Sequence, residues 1–282
     1  SRCINQLLLN EPFFAHILAG TVRKITDQVP TAAVGFNGEL ILLMVNEDFF
    51  LKELRSVGER VAVLKHEVLH LVFRHLFRDK IKEDPELFNI AADIVVNQYI
   101  GPHWDLPETA VTLKTFPDLK LLPEQHLEYY YDILLKLHQA IESADEKSNS
   151  ANKNKNGGSQ KNNEGNASQK DTPLNEKCPQ SAKALSELYG KQRHSDHSKW
   201  IIKEGNSGKT ADGSQISENI IAGLEQTLSK KIIDAFKRTP TKNYGSIPGN
   251  ILTELDIIRE SLKPKVDWKR LLKIFSNASG KD

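Results

Sequence analysis

The sequence predicts an α+β fold, and three observations carry that reading. A strand–turn–strand pattern spans residues 31–46, apolar residues at helical spacing flank it on both sides, and a polar low-complexity segment divides the chain. In residues 4–27, Ile4, Leu7, Leu8, Phe14, Ile17, Leu18 and Val22 keep helical spacing, interrupted at Pro12. Thr31–Gly35 and Glu39–Asn46 read as two strands, with Asn37-Gly38 between them as a hairpin turn. A helix is expected over Leu51–Arg78. Asn89 suits the N-cap of another over Ile90–Ile100, which would stop at Gly101-Pro102. Residues 124–140 form an amphipathic helix.

From 144 to 175 the chain is rich in Asn, Lys, Ser, Gly and Gln and nearly devoid of apolar residues. Such a segment buries too little surface to offset its ordering entropy, so it reads as a disordered linker. It separates a first domain, 1–143, from a mostly helical region, 176–282, with helices expected near 180–190, 215–237, 248–262 and 266–277.

Composition narrows the function classes. Thirty-eight Lys and Arg against 37 Asp and Glu leave a net charge of +1, which gives no argument for a nucleic-acid or membrane partner. The longest apolar run, about Leu40–Val45, is strand-sized and far short of the roughly 18 residues of a membrane span. The N-terminus lacks a basic-then-apolar signal pattern; it also lacks an initiating Met, so the chain reads as a fragment or a processed product. Two distant cysteines, Cys3 and Cys178, fit neither a disulfide framework nor a Cys-based zinc knuckle. A reducing, cytoplasmic setting is the simplest expectation.

The chemistry concentrates in Val63-Leu-Lys-His-Glu-Val-Leu-His-Leu71, an HExxH motif. His66 and His70, four apart on a helix, lie about 40° apart around its axis, so both imidazoles reach one metal ion. Glu67 projects beside that ion, where it can take a proton from water as general base. Apolar neighbours Val63, Leu64, Val68, Leu69 and Leu71 suit a helix buried beneath a cleft. The competing reading is a core helix that happens to hold two histidines, but it would bury Glu67 without a partner at a cost.

A catalytic zinc site takes three protein ligands and water. His75, nine residues after His66, falls about 180° round the helix and would bind only if the chain broke after His70. Leu71-Val-Phe-Arg74 carries no Gly and should stay helical. Asp93 is the better third ligand, a lone acid in Ile90-Ala-Ala-Asp-Ile-Val-Val that needs a partner. The alternative is an Asp near a helix N-terminus paired with Arg74 or Arg78. Asn97, four residues on, could hydrogen-bond a ligand histidine and fix its tautomer. Strand Glu39–Asn46 offers an edge for an extended peptide, or is purely structural. In His194-Ser-Asp-His-Ser-Lys-Trp200, His197 is a candidate to stabilise an oxyanion; an exposed turn anchored by Trp200 is the other reading.

Six segments occur in a specific order: KHEVLHLVFRH with Arg78, FNIAADIVVNQYI, LPEQHLEYYYDIL, SDHSKW, YGSIPGN and PKVDWKRLL. Together they resemble the metallopeptidase domain that lies upstream of a VWA-like domain in bacterial predicted metal-dependent peptidases. The resemblance covers nearly the whole chain apart from the linker. It implies a zincin-like domain, then a helical region leading into a VWA-like domain further downstream. It also implies His66, His70 and Asp93 as ligands of Zn2+, Glu67 as base, and association with MoxR-type AAA ATPases. His197 and Trp200 match its DHxxW segment with no role attached. The expected function is zinc-dependent hydrolysis of a protein or peptide. The alternative is a zinc-stabilised adaptor for a MoxR-type ATPase without hydrolytic activity.

Overall fold

The computed structural model describes residues 2–37, 40–78, 83–153, 173–190, 201–202 and 218–263, with backbone alone at 147–153, 201–202 and 218–219. Two short helices open the chain, α1 (Arg2–Asn10) and α2 (Pro12–Ala19), with Pro12 in the first turn of the second, where its missing N–H costs nothing. The expected helical stretch ends there. Gly20 closes α2 by donating its N–H to the Ile17 carbonyl at 2.9 Å, and Val22–Ile25 leaves as strand β1. Helical periodicity misled at Val22 because the strand is made by pairing with β3, not by its own pattern.

Strands β2 (Ala32–Asn37) and β3 (Leu40–Val45) pair antiparallel, Asn37 opposite Leu40, as the hairpin pattern predicted; Gly38 itself lies outside the described residues. β1 runs parallel to β3, and β4 (Ile201–Ile202) runs parallel to β2 at Phe36 and Asn37, giving the order β1-β3-β2-β4. β3 is therefore an interior strand. The expectation that it offers a peptide-binding edge is corrected: β2 is the strand that faces the candidate site.

Helix α3 (Val57–Val72) starts later and stops earlier than expected. Leu51 falls in a wide turn, Phe49–Glu53, held by Arg60, whose guanidinium donates to the carbonyls of Phe50 at 2.8 Å and Leu54 at 2.9 Å. Ser56 then opens α3 with a capping box: its hydroxyl accepts the Glu59 N–H at 2.9 Å while the Glu59 carboxylate accepts the Ser56 N–H at 3.3 Å. Val61, Ala62, Val68, Leu69, Leu71 and Val72 of α3 are fully buried. Each of the larger ones contributes about 1.5–3 kcal/mol of apolar burial.

Helix α4 (Pro85–Asn97) is capped by Asp84, not Asn89: the Asp84 carboxylate accepts the N–H groups of Glu86 and Leu87 at 2.9 and 3.0 Å. Ala91 and Ala92 are fully buried and let α4 lie close against α3, which also packs on β2. Helix α5 (Leu127–Lys153) packs on α4 and continues past residue 144, into the stretch read as linker; residues 154–172 lie outside the described residues. Helices α6 (Leu174–Lys177) and α7 (Pro179–Leu188) follow, then α8 (Glu218–Arg238) and α9 (Gly249–Ser261). The helix expected at 266–277 lies outside the described residues. Leu185, Leu228, Ile232, Ile251 and Ile258 join the same core as α3 and α4, so the late helices share one interior with the early ones.

Candidate metal centre

The site forms where α3 and α4 cross under β2. α3 contributes His66, Glu67 and His70, all on the face turned toward α4 and β2; α4 contributes Asp93 and Asn97 one turn apart. His66 Nε2, His70 Nε2 and Asp93 Oδ1 form a small triangle. Its edges are 3.0 Å between the nitrogens, 3.4 Å from His66 to Asp93 and 3.3 Å from His70 to Asp93. Donors held about 2.0–2.1 Å from one zinc ion in tetrahedral array stand roughly 3.3–3.4 Å from each other. The triangle therefore fits one face of such a site, and two nitrogens with one carboxylate oxygen are a donor set that zinc accepts. Among the described residues, these three are the group of His, Cys, Asp and Glu side chains that could hold a metal. Asp93 thus turns to the histidines and not to Arg74 or Arg78.

The histidines are oriented from behind. Asn97 Nδ2 donates to the Val111 carbonyl at 2.7 Å, which turns Asn97 Oδ1 toward His66. That oxygen only accepts, so His66 Nδ1 donates to it, at 2.8 Å, and His66 Nε2 is left to face the triangle. His70 Nδ1 lies 3.0 Å from His75 Nδ1. The helical continuation expected through Arg74 does not occur: α3 stops at Val72, and Arg74 takes a left-handed conformation at φ 54 that turns His75 back under His70. His75 joins the site from behind a histidine, not as a third donor.

Electrostatics at the site run against ordinary values. Burial disfavours a charged His66, but the nearby Asp93 carboxylate outweighs it and lifts the imidazole to about 9. Burial also dominates at Glu67; Asp93 adds repulsion, while His66 and the Val34 backbone N–H pull the other way, and the carboxyl settles at about 8. Glu67 is 2% exposed, and its Oε2 has no hydrogen-bond partner among the described residues. A cleft opens over these groups, lined also by Thr31, Ala32, Leu106, Pro107, Thr109, Ala110 and Val111.

The sequence singled out His66, Glu67, His70, Asp93 and Asn97, and the fold brings all five together. It did not show that Val34 would meet Glu67 or that His75 would back His70. The first comes from strand packing and the second from a backbone turn with no local signal. His194, His197 and Trp200 lie outside the described residues. Both Cys3 and Cys178 are free thiols. Among the described residues no helix is long and apolar enough to cross a membrane.

Fold and site together define an α+β protein with three converging side chains that could hold a metal and a buried carboxyl beside them. The chain belongs to the family described as "Putative metallopeptidase domain", whose model matches residues 1–282. No curated protein and no solved structure matches it.

Proposed function

We propose that this chain is a zinc-dependent peptidase of zincin-like design, with His66, His70 and Asp93 as metal ligands and Glu67 as general base. The observation that carries the reading is the donor triangle, with edges of 3.0–3.4 Å, set beside a buried carboxyl whose Oε2 has no partner among the described residues. A zinc ion at the three donors would supply Lewis acidity toward a carbonyl oxygen and make a bound water more acidic. The chain's own part is proton handling. Glu67, the buried carboxyl beside the three donors, takes a proton from water and passes it to the leaving amine. Its Oε1 side is steadied by the Val34 N–H, and its unpartnered Oε2 is the atom placed to accept.

β2 supports a peptide substrate. Of its edge away from β3, the described residues pair only Phe36 and Asn37, with β4. Thr31 and Ala32 line the cleft; the Thr31 carbonyl accepts the Asn46 N–H across the hairpin at 2.7 Å, which leaves Ala32 as the position we assign to β-type addition of an extended chain. His197, four residues before β4, is assigned oxyanion stabilisation in this reading on the chemistry of its segment. Two free cysteines support a reducing, cytoplasmic setting. An adaptor for a MoxR-type ATPase would call for a site closed by four protein ligands, or for no metal at all; the described residues bring three candidate donors together.

Glu67→Gln tests the mechanism. The variant should keep zinc and lose about 10²–10⁴-fold in cleavage of quenched fluorescent peptides. Turnover at the wild-type rate would reject Glu67 as base.

A further inference from the structure

Reading His66, His70 and Asp93 as ligands leaves the buried His75 without a task. His75 is 1% exposed, and its ring lies parallel to Phe73 (centroids 5.7 Å apart, 17° between planes) and edge-on to Phe88 at 6.4 Å. Two aromatic neighbours fix the plane of the imidazole, and its Nδ1 points at His70 Nδ1 across 3.0 Å. A hydrogen bond between neutral imidazoles needs one N–H and one lone pair. On the metal-site reading the choice is forced. His70 Nε2 faces His66 and Asp93 and must present its lone pair there, so the His70 proton sits on Nδ1 and is donated. His75 Nδ1 is then the acceptor, and the His75 proton sits on Nε2.

The backbone is arranged for this contact. On an unbroken helix His75 would stand about 180° from His66. Instead Arg74 adopts φ 54, which a side chain with a Cβ tolerates only at a cost. Arg74 is held there from the late helices: Nε and Nη2 donate to Glu254 Oε1 at 3.0 and 2.8 Å, and Nη1 donates to Glu225 at 3.1 Å. A strained turn maintained by two carboxylates delivers one buried imidazole to the back of His70.

We infer that His75 is a positioning residue for the metal centre: it accepts the His70 Nδ1 proton, fixes that tautomer, and aims Nε2 at the shared site. This rests on the proposed metal site. It is a task usually given to a carboxylate, a carbonyl or water; a neutral imidazole boxed by Phe73 and Phe88 performs it here without adding charge.

Zinc affinity of the purified chain, measured by competition with a chelating dye, tests it. His75→Phe keeps the ring between Phe73 and Phe88 but offers no acceptor, and should weaken zinc binding about 10–100-fold. The metal-free unfolding midpoint should stay near wild type. His75→Asn places Oδ1 where Nδ1 was and should restore most of the affinity. Equal affinity in wild type and His75→Phe, or no rescue by Asn, overturns the inference while the metal site stands. A wild-type chain that binds no zinc overturns the metal site and the inference with it. Should His75→Phe fail to fold, ¹⁵N imidazole spectra of the zinc-loaded wild type decide. His70 protonated on Nδ1 with His75 protonated on Nε2 supports the inference, and a His75 proton on Nδ1 overturns it.

Discussion

Arg74, at the end of the motif-bearing helix, and Glu254, on α9, are joined by two hydrogen bonds of 3.0 and 2.8 Å to one carboxylate oxygen. Their side chains are only 12% and 10% exposed, so the pair is largely desolvated. It links the end of α3 to a helix 180 residues away in sequence. Removing one partner of such a pair leaves an uncompensated charge, which costs more than the pair contributes when intact.

Glu254→Ala should therefore destabilise the chain by about 3 kcal/mol in urea unfolding. Glu225 remains to hold Arg74 in part. The variant should also weaken zinc binding, because Arg74 is then free to leave φ 54 and withdraw His75. A stability loss with zinc affinity untouched would mean that the turn is held by packing alone.

The site's proton inventory sets opposite pH trends for metal-free stability and for zinc affinity. His66 rises from 6.5 to about 9 on folding and Glu67 from 4.5 to about 8. Between pH ~6.5 and ~8 the folded state therefore binds more protons than the unfolded state, so metal-free stability falls as pH rises, and His66 extends the fall to about 9. Zinc needs His66 neutral, so its apparent affinity should rise about tenfold per pH unit up to about pH 9. Thermal melts with EDTA and with excess zinc at pH 6.5, 7.5 and 8.5 should show the zinc-dependent gain widening with pH. A constant or shrinking gain would remove His66 from the ligand set.

Next to His66 on the same helix, Lys65 is 1% exposed and pairs with Glu11 at 2.5 Å, while Trp104 Nε1 donates to the other Glu11 oxygen at 2.6 Å. Burial lowers the Lys65 pKa and Glu11 opposes that shift. Lys65→Met should cost about 3–5 kcal/mol by stranding the Glu11 carboxylate, and Lys65→Met with Glu11→Gln should recover most of it. Additive losses in urea unfolding would show that the two groups are energetically independent.

What the sequence revealed of this site was local. His66 and His70 share a helix face because they are four apart, and so do Asp93 and Asn97; Asn37-Gly38 announced the hairpin, and its flanking strands pair Asn37 with Leu40. What escaped was made by distant partners. Val22–Ile25 is a strand because Leu42–Val45 pairs with it, and the turn at Arg74 is held by Glu225 and Glu254. The start of α4 was a different kind of miss. Asp84-Pro85 was a better N-cap signal than Asn89, with Pro in the first turn, and it stood in plain view.

Glu67 Oε2, buried beside Asp93 without a hydrogen-bond partner among the described residues, has a consequence for anyone who evolves or engineers this chain. An apolar residue at 67 would fill the same space with no polar atom to satisfy. Directed selection for heat tolerance alone should drift toward that replacement, and every round that succeeds would move the chain away from its working sequence. Keeping the glutamate in a thermostabilised descendant will require a screen for turnover alongside the screen for survival.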